Sequence, residues 1–131
     1  MNHVISFKTS KFDVTKEPEN PINPIFGKSL LDWLKTKLSS ELNLTEPDAE
    51  DWGWYSTLKW EGREYLIGSI AYFEEGDDPN AEIEWIFQLD KARTLIEKLL
   101  GKERLTIEDQ CFKYLKSVLE SEPSFKELNV E

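Results

Sequence analysis

The sequence predicts an α+β fold, an antiparallel sheet of about four strands with helices covering one face as a two-layer sandwich. Three observations carry that prediction. Between Trp52 and Leu89, apolar residues recur at every second position in three successive runs, joined by polar turns. Short turns between consecutive strands make an antiparallel meander. Around Lys28 and again around Ile107, leucines and other apolar residues recur instead at three- and four-residue spacing, as on one face of a helix. The chain has 131 residues, 39% of them hydrophobic and 12% aromatic, which supports one core and one domain, residues 1–131.

In order, the elements read as strand, helix, three strands and two helices. His3 to Val14 is rich in Val, Ile and Phe, with His3, Ile5 and Phe7 on one face, and reads as an edge or second strand. Thr15 to Ile25 carries Pro18, Pro21 and Pro24, which forbid a helix and disfavour a paired strand. It reads as a stiff connector that Ile22 and Ile25 pin to the body. A first helix is expected from Lys28 to Leu42 on the stripe Leu30, Leu31, Leu34, Leu38 and Leu42. Thr45 to Asp51, polar and acidic, reads as a loop.

From Trp52 the period becomes two. Trp54, Ser56, Leu58 and Trp60 point one way, and Glu61-Gly62 makes the hairpin turn. The return strand, Arg63 to Phe73, is apolar on both sides and therefore central. After an acidic turn from Glu74 to Asn80, Ile83, Trp85, Phe87 and Leu89 alternate with Glu82, Glu84 and Gln88. Asp90 is the expected cap of a helix over Lys91 to Leu100, closed by Gly101. Thr106 with Asp109 resembles a capping box for a last helix, Ile107 to Glu120, whose stripe includes Cys111, Phe112, Leu115, Val118 and Leu119. Pro123 ends it, and Phe125, Leu128 and Val130 dock as a short extended tail.

Charge and composition exclude several functions. With 26 acidic against 16 basic residues the formal charge is −10, which opposes direct binding to nucleic acid or to an anionic membrane. One Cys and one His cannot form a disulfide framework or a Cys/His metal cage. No apolar run approaches the ~20 residues that span a bilayer, and no signal-peptide pattern opens the chain, so a cytoplasmic protein is expected. The six glycines are dispersed, so no phosphate-cradling loop and no cofactor motif is present. His3 has no partner for metal or triad chemistry, and Cys111 falls on an apolar helical stripe as a core residue.

The candidate site is the segment from Glu46 to Tyr55. Glu46, Asp48, Glu50 and Asp51 place four carboxylates in six positions, directly before Trp52, Gly53, Trp54 and Tyr55. Read as a recognition surface, the aromatics supply rigid contact area and the acids steer a basic partner. Read plainly, the acids are a solvated loop and the tryptophans enter the core. The spacing of Asp48, Glu50 and Asp51 matches no calcium loop, and nothing assigns them acid–base chemistry. No catalytic and no metal-ligating residue is assigned. A second run, Glu74 to Glu84, holds six acids and no base over eleven residues. It reads as a solubilising turn or as a second part of an acidic docking patch. Lys91, Arg93, Lys98, Lys102 and Arg104, partly offset by Glu97 and Glu103, read as a solvated helix surface.

Asn20-Pro21-Ile22-Asn23-Pro24-Ile25, the Glu46 to Tyr55 block, Glu84-Trp85 and Lys98-Leu99-Leu100-Gly101 together resemble a family of short bacterial proteins for which no activity is established. The resemblance extends over nearly the whole chain and implies a bacterial, stand-alone domain. It assigns no catalytic or binding residue.

The sequence thus points to a non-catalytic protein-binding module, immunity- or inhibitor-like, that docks on a basic protein through Asp48, Glu50, Asp51, Trp52, Trp54 and Tyr55. The alternative is a small-ligand binder or enzyme with an aromatic and carboxylate pocket at Trp52–Tyr55. Both oligomeric state and partner identity stay open at this level.

Overall fold

The computed structural model describes residues 3–131. Its elements are β1 (His3–Thr9), α1 (Lys28–Lys37), β2 (Asp48–Glu50), β3 (Gly53–Trp60), β4 (Arg63–Ala71), β5 (Ile83–Lys91), α2 (Leu95–Leu100), α3 (Gln110–Glu120) and β6 (Lys126–Val130). The strands form one antiparallel sheet in the order β2-β3-β4-β5-β1-β6. The meander β3-β4-β5 is at its centre, and β1 is second from one edge.

The sheet has six strands where about four are expected. The two additions are the edges. Asp48–Glu50 pairs with β3 instead of looping, through Asp48↔Tyr55, Ala49↔Trp54 and Glu50↔Gly53. The tail Lys126–Val130 pairs with β1, with a register shift between Ser6 and Lys8. Four boundaries also move. β1 stops at Thr9, and Asp13 caps a 3-10 turn over Val14–Lys16. α1 stops at Lys37 because Leu38 turns extended, and Ser39 then caps a second 3-10 turn, Ser40–Leu42. Asp90 does not cap a helix. It stays in β5, paired with Leu66, and Thr94 caps α2 through a full capping box with Glu97. In α3 the cap is Asp109, which accepts from the Phe112 amide, so the helix begins at Gln110 and not at Ile107.

One continuous core cluster draws on the inward side of the strands and on α1 and α3. Trp85, Phe87 and Leu89 of β5 are buried, while Ile86 and Gln88 between them are half-buried and Glu84 and Asp90 on either side are exposed. Against these strands pack Leu30, Leu31 and Leu34 of α1 and Cys111, Phe112, Leu115 and Leu119 of α3. Each such side chain contributes on the order of 1.5–3 kcal/mol by leaving water. The start of α1 has no side-chain cap of its own. The Glu17 carboxylate, ten residues upstream, accepts from the amides of Gly27, Lys28 and Ser29 at 2.9, 3.0 and 2.9 Å.

Candidate functional site

Pairing register fixes where the acidic segments lie. Trp54 pairs with Ser69 and Glu50 with Gly53, so the β2–β3 turn at Asp51 and Trp52 sits beside the last residues of β4. The β4–β5 connection, with Glu74, Glu75, Asp77 and Asp78, starts from that same end. Both acidic segments therefore share one end of the sheet. Among the described residues, Asp48, Glu50, Asp51, Glu74, Glu75, Asp77 and Asp78 form no ion pair.

The candidate residues separate into two groups. Asp48 and Asp51 are exposed, and Glu50, Trp52 and Tyr55 are half-buried. Asp48 pairs with Tyr55, so both rise from the outward side of the sheet, away from the core residues Trp54, Ser56 and Leu58. Trp52 lies over that outward side too. A β-carbon at Gly68 would fall 2.8 Å from its ring atoms Cη2 and Cζ3. Trp54 does not belong to the surface. It is buried, and its Nε1–H donates to the Ile25 carbonyl at 3.0 Å.

The residue that holds this end together is Asn20, which sequence reasoning did not single out. It is buried, and its Nδ2 donates to the carbonyls of Glu50 and Gly53 at 3.0 and 2.9 Å. Its Oδ1 accepts from the amides of Ile22 and Asn23. Asn23 adds a bond from its own Nδ2 to the Asp51 carbonyl at 2.8 Å. The proline connector is thereby tied to the backbone of the acidic turn. An Asn beside a proline is a turn signal, and that was the clue available in the sequence. Close backbone approach completes the joint: a β-carbon at Gly27 or at Gly53 would come 2.4 or 2.6 Å from the Ser69 carbonyl oxygen.

Beside this joint is a cavity of about 390 Å³, walled by Ile25, Phe26, Ile70, Tyr72 and Phe73, with Glu74 and Asp77 in its lining. Phe26 and Phe73 meet edge to face with centroids 5.7 Å apart, and the Phe26 carbonyl accepts from the Ala71 amide. Trp52, Trp54 and Tyr55 do not line it. The recess next to the segment thus carries a different aromatic set, Phe26, Tyr72 and Phe73. Compared with models of known protein families, with curated proteins and with solved structures, the chain matches none.

The strongest electrostatic perturbations lie at the opposite end of the sheet. The Asp109 carboxylate accepts from the Tyr65 hydroxyl at 2.9 Å and lies 3.2 Å from the Lys91 ammonium, which also meets Glu103 at 2.9 Å. Burial opposes the charge on Asp109, but bonds from the Phe112 amide, Tyr65 and Lys91 outweigh it and hold the carboxyl below its usual range. Burial, and then the bond to Asp109, push the Tyr65 hydroxyl well up. Burial pulls Lys91 down, yet Glu103 and Asp109 hold the ammonium above its ordinary value. All members of this cluster are mutually satisfied, and it fastens the start of α3 to β4 and β5. Among the described residues, no three His, Cys, Asp or Glu side chains group as metal ligands, and no helix is long and apolar enough to cross a membrane.

Proposed function

We propose that this chain is a non-catalytic protein-binding module, immunity- or inhibitor-like, whose acidic sheet end docks on a basic protein in the bacterial cytoplasm. The observation that carries the reading is a set of carboxylates without ion pairs among the described residues at one end of the sheet: Asp48, Glu50 and Asp51 on the strand and turn whose backbone Asn20 holds, and Glu74 and Asp77 in the lining of an apolar recess. Unpaired like charges on a fixed backbone repel one another, and a cationic partner relieves that repulsion. The recess supplies the apolar seat for an anchoring side chain, with Trp52 and Tyr55 beside it. We further infer a two-layer arrangement with the helices on one face, which leaves the side bearing Tyr55, Leu66, Ile70 and Ile86 open to a partner.

The test is affinity capture from the native cells, followed by binding measurements with the purified captured protein. The Asp48→Asn, Glu50→Gln, Asp51→Asn variant is expected to bind that basic protein at least about tenfold more weakly, a loss of about 1.4 kcal/mol. Equal affinity of native and variant chains would overturn the reading. The recess also favours a second reading, a small apolar ligand with a cationic group seated between Phe26, Phe73 and the Glu74 and Asp77 carboxylates. Saturable binding of such a compound, abolished by Phe73→Ala and unaffected by the Asp48, Glu50 and Asp51 changes, would select it.

A further inference from the structure

We infer that α2 is a second docking element, and that its occupant is the acidic sheet end of another copy of this chain. The inference rests on the reading of that end as a platform for a basic, apolar partner.

α2 is an inverted helix. Leu95, Ile96, Leu99 and Leu100 point outward, and with Ile107 their exposures run from 57% to 76%. At about 100° per residue the four helical side chains cover an arc of about 140°. None of the six residues of α2 is buried. Polar contacts hold it in place. Thr94 and Glu97 form the capping box, and the Arg63 guanidinium grips Glu97 with two bonds of 3.0 and 2.9 Å. Gly101 closes the helix at φ 67°, where the Lys102 amide reaches the Glu97 carbonyl. The helix is thus fixed with its apolar side facing water, an arrangement that costs a lone chain free energy.

Charge and exposure together name the occupant. Around the apolar stripe stand Arg93, Lys98, Lys102 and Arg104, none ion-paired among the described residues, in a chain of net charge −10. Packing α2 on α2 of a second copy would set these bases against each other. The complementary surface, apolar and edged with unpaired carboxylates, is the recess of Phe26, Ile70 and Phe73 with Glu74 and Asp77. The chain cannot fill its own recess, because β5 separates the two ends by about 30 Å. Each of the four side chains is more than 60% exposed, so most of the stripe is free to be buried on a partner. The contact is head to tail, so every open assembly keeps one free α2 and one free acidic end and grows until it closes into a ring.

Sedimentation of the full chain tests this. The weight-average mass of the native protein is expected to rise above the monomer with concentration, and to fall toward the monomer as salt is raised. Leu99→Asp and the double variant Glu74→Lys, Asp77→Lys should each be monomeric with unchanged circular dichroism. Mixed in equal amounts they should form a dimer and nothing larger, since one intact α2 meets one intact acidic end. A native chain that stays monomeric, a Glu74→Lys, Asp77→Lys variant that still assembles, or a mixture that stays monomeric overturns the inference. So does a monomeric native chain that sediments with phosphatidylcholine–phosphatidylserine vesicles and loses this with Leu99→Asp, which would make a membrane the occupant. Leu99→Asp leaves the acidic end intact, so its affinity for a captured basic protein reports on the proposed function alone.

Discussion

Trp52 rests on Gly68, so closely that a β-carbon at the glycine would fall 2.8 Å from two atoms of the indole and from Gln88 Cγ. Gly68 is in the middle of β4, where glycine normally weakens a strand. Here its missing side chain makes the seat that flattens Trp52 onto the sheet beside the acidic turn. Gly68→Ala is expected to displace the ring and cost about 1–2 kcal/mol through overpacking. A denaturant titration and a change in tryptophan emission measure both effects. An alanine variant as stable as the native chain with unchanged emission would show that the ring is not seated there.

Asn20→Ala removes two donors from the Glu50 and Gly53 carbonyls and two acceptor contacts from the connector. Those groups are then left without partners in a partly closed joint, so the expected loss is about 2–4 kcal/mol. Amide exchange should accelerate most at Asp51 to Tyr55, ahead of the central strands. Uniform acceleration across β3, β4 and β5 would mean that Asn20 acts on the whole core and not on the turn.

These two residues also show how far the sequence carries. The alternation of Ile83, Trp85, Phe87 and Leu89, and of Trp54, Ser56 and Leu58, was legible because a strand with one wet face writes itself with period two. β2 was not, because Asp48-Ala49-Glu50 has little strand preference and is paired only through contacts with β3 and Asn20. α2 began late for a local reason: the Thr94 and Glu97 box competes with Asp90, which β4 retains through Leu66. In the candidate site the carboxylates were visible as composition. The recess was not, since Phe26 and Phe73 meet only after the connector crosses the end of β4. Trp52 and Trp54, neighbours in sequence, part company because Trp52 is in the turn, where strand alternation no longer applies.

The pH dependence of α2 follows from Glu97. Hydrogen bonds from Arg63 first, and then from the Thr94 amide, hold its carboxyl down at about 2. An unfolded glutamate titrates near 4.3. The folded value is the lower one, so the stabilisation from Glu97 is full above about pH 5 and is lost as pH falls through about 2. Amide signals of Leu95 to Leu100 should therefore shift and exchange faster across that window while β5 stays protected. Arg63→Gln should move the transition toward pH 4. An α2 signal indifferent to pH down to 2 would contradict this.

Cys111 is buried in the core, and burial first, with the Asp109 charge adding to it, pushes its thiol up to about 12. Alkylation of the folded chain at pH 8 is expected to be slower than that of an unfolded thiol by about a thousandfold, from the scarcity of thiolate alone. Denaturant should release the reaction in step with the loss of secondary structure. Labelling at the free-thiol rate in native buffer would place Cys111 at the surface of a mobile α3.

Asp109 has two tasks, capping α3 through the Phe112 amide and neutralising Lys91 in a site where the Lys91 side chain is 10% exposed. Asp109→Ala forfeits the cap, worth about 1 kcal/mol. It also leaves a nearly buried ammonium short of one partner, so the total loss is expected to be about 3–4 kcal/mol. Lys91→Met alone strands the carboxylate, which still keeps Tyr65 and the Phe112 amide and should cost less. In the double variant Lys91→Met, Asp109→Ser, the hydroxyl still caps α3, no buried charge is left uncompensated, and the Glu103 carboxylate that loses Lys91 is exposed to water. That variant should recover most of the loss. A double-mutant cycle of Lys91→Met, Asp109→Ser and the two combined, read by chemical denaturation, gives a coupling of about 2 kcal/mol or more if the pair acts as described. A coupling near zero would mean that Glu103 alone neutralises Lys91 and that Asp109 serves only the helix.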